Sequence, residues 1–177
     1  MEHWTVDTLK AGLASGSARA YAELYDRLGP ALVRAARTML LSSSEAEDAV
    51  QDVFVSLVRS RARLAEVGDV AAYVFASLRH VAGRKAARQA GERKRLKEMA
   101  MAGWSDAVDG PREADEELGK AVAELPTEQR EVIAMKIDGG LTFAQIGAVL
   151  GVSLNTAASR YRYALEKLRE RLGRERP

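Results

Sequence analysis

Apolar residues along this chain recur at intervals of three and four and almost never alternate, the signature of amphipathic helices. Val6, Leu9 and Leu13 predict a short first helix that Ser15-Gly16-Ser17 breaks. Ala20, Tyr21, Leu24, Tyr25 and Leu28 share the face of a second, which Gly29-Pro30 is expected to interrupt or kink before Leu32, Val33, Ala36, Met39 and Leu40 resume it. Ser42-Ser43-Ser44 reads as a loop, with Ser44 as N-cap and Glu47 three residues on completing a capping box. The next helix sets Ala46, Ala49, Val50, Val53, Phe54 and Leu57 on its buried stripe and Glu47, Asp48, Gln51 and Asp52 on the other face. A loop around Ala65–Asp69 leads to a helix carrying Ala72, Phe75, Ala76, Leu78 and Ala82, which runs into the basic tract Arg84, Lys85, Arg88 and Arg93-Lys94-Arg95.

Beyond that tract the period decays. Residues 99–112 hold Gly and Pro without a sustained apolar repeat and read as a linker. A second helical unit follows, in which Leu118, Val122 and Leu125 are stopped by Pro126. Thr127 is expected to cap a helix bearing Val132, Ile133 and Ile137, closed by Gly139-Gly140. Thr142 and Gln145 form a second capping box, opening a helix with Phe143, Ile146 and Val149 inward. Leu150-Gly151-Val152-Ser153 is a tight turn with a left-handed Gly151 and a capping Ser153. The last helix is expected to bury Leu154, Ala157, Ala158, Tyr161, Leu165, Leu168 and Leu172. The fold class is therefore all-α: two small helical domains joined by a flexible linker, spanning 1–97, 98–113 and 114–177.

Composition narrows the chemistry. There is no cysteine among 177 residues, which excludes disulfides, thiolate metal sites and cysteine nucleophiles. No second histidine clusters with His80, and neither a Gly-rich phosphate loop nor a Ser-His-Asp set is visible, so the chain reads as a non-enzyme with no metal or cofactor. No apolar run reaches the roughly 18 residues of a membrane span, and the start lacks a signal-peptide layout, so a cytoplasmic protein is expected. The formal net charge of +2 conceals segregation. Residues 84–103 carry seven Lys and Arg against two acidic groups, residues 104–138 four against ten, and residues 139–177 seven against three. Two basic blocks around an acidic one suit a polyanion met at two places.

Residues 142–168 have the layout of a helix-turn-helix: a short capped helix, a turn with Gly, then a longer helix. Near the start of the second helix the exposed positions are Asn155, Thr156, Ser159, Arg160 and Tyr163, side chains suited to base edges and phosphates. Arg162, Lys167, Arg169 and Arg171 can neutralise backbone phosphate.

What precedes this motif resembles the extracytoplasmic-function group of the sigma-70 family, the bacterial RNA polymerase sigma factors. Glu124-Leu-Pro-Thr-Glu-Gln-Arg-Glu-Val-Ile133 is similar to the start of the family's region 4. Leu141–Ser153 and Asn155–Leu165 match its helix-turn-helix and recognition helix, and Ala46-Glu-Asp-Ala-Val-Gln-Asp-Val-Phe-Val-Ser-Leu57 is similar to region 2. The resemblance covers nearly the whole chain, in order.

It implies an alternative sigma factor that directs promoter-specific initiation by core RNA polymerase. Glu47, Asp48, Gln51 and Asp52 would dock on the coiled coil of the largest subunit, and the polymerase flap is a further contact. Arg63, Tyr73, Arg79, His80, Arg84, Lys85 and Arg88 would open and read the −10 element. Asn155, Thr156, Ser159, Arg160, Arg162 and Tyr163 would read the −35 element as duplex. An anti-sigma factor is the family's usual further partner. The chain departs from the family pattern at His80, where Asn is usual, at Arg84, often Asp, and at Ala157-Ala158, commonly Val-Lys. The other reading of the same motif is a stand-alone helix-turn-helix regulator that never touches polymerase. The acidic helix around Asp48 separates the two, because an operator binder has no use for it.

Overall fold

The computed structural model describes residues 5–99 and 113–173, and these are helical with short connections. In the first unit α1 is Val6–Ser15, α2 Ala18–Leu40, α3 Ser43–Arg59, α4 Arg61–Leu64 and α5 Val70–Met99. In the second, α6 is Glu113–Ala123, α7 Thr127–Ile133 with a π-helical continuation over Ala134–Asp138, α8 Phe143–Leu150 and α9 Leu154–Gly173. Most of the expected linker, residues 100–112, lies outside the described residues.

Caps account for most of the boundaries. Thr5 Oγ1 accepts from the Thr8 amide at 3.2 Å to start α1, and Ser17 Oγ accepts from Ala20 at 3.4 Å to start α2. The capping box at Thr142 is formed in both directions, with Gln145 Oε1 2.7 Å from the Thr142 amide and Thr142 Oγ1 3.2 Å from the Gln145 amide. Gly151 ends α8 at φ 67°, a left-handed geometry that disfavours any residue with a Cβ, and Ser153 Oγ accepts from Thr156 at 3.0 Å.

Four boundary expectations are corrected. Pro30 does not interrupt α2: Leu24, Leu32, Ala35, Ala36 and Met39 are buried along one stripe, and their packing holds the helix through the lost backbone bond. Ser42, not Ser44, caps α3, accepting from the Glu45 amide at 3.4 Å, while Glu47 pairs with Arg37 at 3.3 Å. Thr127 is the first residue of α7 rather than its cap, because the Pro126 carbonyl already accepts from Gln129 and Arg130. Helix α5 continues past the decay of apolar period to Met99.

One core runs through both units. It joins Leu13, Leu24, Leu32, Val53, Leu57, Phe75 and Leu78 of the first to Val132, Met135, Ile146 and Ala157 of the second. Tyr21 ties three helices together, its hydroxyl donating to the Leu13 and Leu57 carbonyls at 3.2 and 3.3 Å, and burial pushes its pKa up. A smaller core of Leu125, Ile133 and Ala164, with Tyr161, Leu165 and Leu168 against it, holds α6 and α7 to α9. At their corner the half-buried Arg130 donates to the Ala123 and Leu125 carbonyls at 3.2 and 3.1 Å; burial lowers its pKa from the ordinary arginine value.

Candidate nucleic-acid and polymerase interfaces

The acidic face of α3 is assembled as the sequence implies. Ala46, Ala49, Val50, Val53 and Leu57 turn inward, which leaves Glu47, Asp48, Gln51 and Asp52 exposed together. Val55 and Val58 continue that surface as exposed apolar positions. Two of its carboxylates already have cationic partners, Glu47 with Arg37 and Asp52 with Lys85 at 3.5 Å. The net potential of the face is thereby smaller than four polar residues suggest.

Helix α5 carries most of the residues assigned to the −10 element. Asp69 starts it, its Oδ1 accepting from the Ala72 amide at 2.9 Å. That bond, with a second from the Gln145 side chain, holds the Asp69 carboxyl below the ordinary range. Val74, Phe75, Leu78, Val81 and Ala82 pack inward. His80, Arg84 and Arg88 then recur every fourth residue and form one exposed stripe. Tyr73 is half-buried against the core, and Lys85 is drawn towards α3 by Asp52. Arg63 stands apart, exposed on the short α4. Arg79 is directed elsewhere, its Nε 3.1 Å from Glu131 Oε2 in the second unit.

The helix-turn-helix is formed by α8 and α9, with Ile146 and Gly147 buried where the helices meet. A Cβ at Gly147 would stand 2.8 Å from the Val152 carbonyl oxygen, so only glycine allows the turn to approach this closely. Ala157 and Ala164 are the fully buried residues of α9, and Phe143 packs on Tyr161 with ring centroids 5.5 Å apart. Asn155, Thr156, Arg162 and Tyr163 are exposed, and the Arg162 guanidinium lies 5.5 Å from the Tyr163 ring centroid. Ser159 and Arg160 are half-buried, and Arg160 pairs with Glu128 at 2.7 Å. Leu154 is 50% exposed, not buried as expected, because it precedes the first residue of α9 that reaches the core. It therefore joins the surface at the start of the recognition helix.

Sequence reasoning missed the carboxylates that answer these cations. Glu128 and Glu131 lie on α7 with Arg160 and Arg79 32 and 52 residues away, and Asp138, at the end of its π-helical continuation, accepts from the Thr38 hydroxyl 100 residues away with Arg34 3.9 Å from its other oxygen. No periodicity signals such pairings. Also unforeseen is an open apolar groove of about 710 Å³ lined by Leu118, Val122, Ile133, Ile137, Leu165 and Leu168.

Comparison with known proteins agrees with this geometry. The family described as Sigma-70 region 2 matches residues 24–92, and Sigma-70 region 4 matches residues 121–170. The chain belongs to the sigma-70 family. Among similar sigma factors, the extracytoplasmic-function (ECF) RNA polymerase sigma factor RpoE of Cereibacter sphaeroides is 31% identical over 164 residues, covering 86% of each chain. RNA polymerase sigma factor CarQ of Myxococcus xanthus is 31% identical over 166 residues, covering 89% of this chain and 92% of CarQ. The solved structure of CnrH in complex with the cytosolic domain of CnrY superimposes with a TM-score of 0.69 at 26% identity, covering 96% of this chain and 98% of the other. The sigma factor RpoE of Bartonella quintana, solved with the anti-sigma factor NepR, shares the fold, with a TM-score of 0.67 and 23% identity. The sigma-70 chain described here falls in the ECF group, whose members confer promoter specificity on RNA polymerase. No helix among its described residues is long and apolar enough to cross a membrane.

Proposed function

We propose that this ECF-type sigma factor works in the cytoplasm as a specificity subunit, not itself an enzyme, with its contacts divided among three surfaces. The acidic α3 face of Glu47, Asp48, Gln51 and Asp52 docks on the coiled coil of the polymerase's largest subunit. The α5 stripe of His80, Arg84 and Arg88, with Lys85, Arg79, Tyr73 and Arg63, holds the opened −10 strand along a cationic track. The exposed start of α9, with Asn155, Thr156, Ser159, Arg160, Arg162 and Tyr163, enters the major groove of the −35 element. The apolar groove between α6, α7 and α9 suits a helical segment of a protein partner, the polymerase flap. An anti-sigma factor of the kind solved with the Bartonella sigma factor is a further partner.

The observation that carries this reading is the presence of both halves in one chain: a region-2 bundle with an exposed acidic helix face, and a region-4 helix-turn-helix. A stand-alone operator binder needs only the second. The reading is tested by mixing the protein with core polymerase and a promoter library and sequencing the transcripts. New start sites and co-purification with core are expected; absence of both contradicts it.

A further inference from the structure

Two arginines near the start of α9 stand in different surroundings. Arg162 is exposed, has no carboxylate partner among the described residues, and lies 5.5 Å from the Tyr163 ring centroid. Arg160 is held by α7: its Nη2 is 2.7 Å from Glu128 Oε2, and its side chain is only 25% exposed. Register explains the difference. Asn155, Ser159 and Tyr163 recur every fourth residue along the middle of the outward face, whereas Arg160 falls three residues after Ala157 and four before Ala164, both fully buried. It therefore stands on the flank of α9 that meets α7. Glu128 lies one turn before Val132, which is buried in the same core as Ala157, and so reaches that flank.

A guanidinium so paired offers a different contact from a free one. Its charge is answered, so a phosphate oxygen gains little from it. Its remaining donors, on Nε and Nη1, make no bond among the described residues and are held in the plane of the rigid fork. Such donors match paired acceptors on a neutral base edge, as guanine presents with O6 and N7 in the major groove. Glu128 is itself 66% exposed, beside the face proposed to enter that groove, and its carboxylate repels a loosely placed phosphate.

We infer that Glu128 is a specificity-determining residue of the −35 reader: it compensates the Arg160 charge, withholds it from generic phosphate and leaves its free donors to a base edge. The inference deepens the −35 role proposed for α9 and rests on it. Region 4 then divides its cations, with Arg162 for the backbone and Arg160 for sequence. The test uses the full chain, in which the outward face of α9 is exposed. A random duplex pool is selected on the wild-type protein to give the preferred block, and a scrambled block serves as generic duplex. Affinity for each is measured by fluorescence anisotropy of labelled duplex over a range of salt, for wild type, Glu128→Gln, Arg160→Ala and the double variant.

Glu128→Gln is expected to tighten generic duplex about three- to tenfold at about 0.1 M salt and to steepen its salt slope by about 1, the release of one cation to phosphate. Preference for the selected block over the scrambled one should fall by a similar factor. Arg160→Ala is expected to lose preference at one base pair with the generic slope unchanged, and in its presence Glu128→Gln has no further effect on slope. A merely structural role for Glu128 would not steepen the slope. An unchanged generic slope in Glu128→Gln, a slope flattened by Arg160→Ala alone, or an equal Glu128→Gln effect with and without Arg160 would each overturn the inference while duplex binding by α9 stands. Failure of the −35 reading shows differently, as a wild-type chain that selects no block from the pool, and it takes the inference with it.

Discussion

Arg79 Nε lies 3.1 Å from Glu131 Oε2, joining α5 of region 2 to α7 of region 4 across 52 residues of chain. Beside this pair the Phe75 ring presses on Gly139. A methyl group at 139 would also stand 2.7 Å from the Met135 carbonyl oxygen within the π-helical turn. Gly139→Ala is expected to lower unfolding stability by about 1–3 kcal/mol, the usual cost of overpacking. Urea unfolding monitored by circular dichroism checks this.

Asp48→Lys is expected to weaken core polymerase binding at least about tenfold, as reversal of a charge does at a complementary interface. Duplex −35 binding by the same variant should be unchanged. Asp48 is a cleaner probe than Asp52, whose reversal would also break its ion pair with Lys85. Fluorescence anisotropy of labelled protein titrated with core polymerase, and of a labelled −35 duplex titrated with the protein, gives the two numbers.

On the recognition helix, Asn155→Ala and Arg162→Ala should fail differently. In the proposed role Asn155 reads a base edge, and its loss is then expected to relax sequence preference by about 1–3 kcal/mol at one position. In the proposed role Arg162 meets backbone phosphate, and its loss should then weaken all sequences alike and reduce the salt slope by about 1. Affinities for the −35 duplex and its point variants between low and moderate salt separate the two.

Much of this arrangement was legible in the sequence because it is local. The helix-turn-helix follows from Thr142, Gln145, Gly151 and Ser153, each acting within a few residues of itself, and the acidic α3 face follows from a 3.6-residue period. Pro30 misled because packing of Leu24, Leu32 and Ala36 outweighs one lost backbone bond. Ser42 displaced Ser44 as cap because three adjacent serines offer the same chemistry at three registers. Leu154 reads as core by residue type, yet its position on α9 leaves it at the surface. The contact between the two units was out of reach for a different reason: Thr38 and Asp138 are ordinary polar residues until folding brings them together over 100 positions.

Two carboxyls give stability opposite dependences on pH. Burial raises the Asp138 pKa, with the Thr38 hydrogen bond and Arg34 offsetting part of the effect. The folded state then binds a proton that the unfolded state has released, so stability falls as pH rises from the ordinary carboxylate value of about 3.9 to the raised one. Asp69 is held low, first by its bond from the Ala72 amide, so its contribution is full above about 3.9 and is lost as pH falls through the lowered value. Asp138→Asn should therefore gain relative to wild type at pH 7 compared with acid, whereas Asp69→Asn should lose. Chemical denaturation at both pH values reads the difference.

The most direct measurement is in vitro transcription with core polymerase alone and with core plus this protein, on one promoter library, with start sites mapped by sequencing. A set of start sites that appears only with the protein, sharing conserved blocks near −10 and −35, is the predicted result. The −35 block should change in the Asn155→Ala variant. An unchanged start-site map, together with no co-purification of the protein with core, would contradict the account.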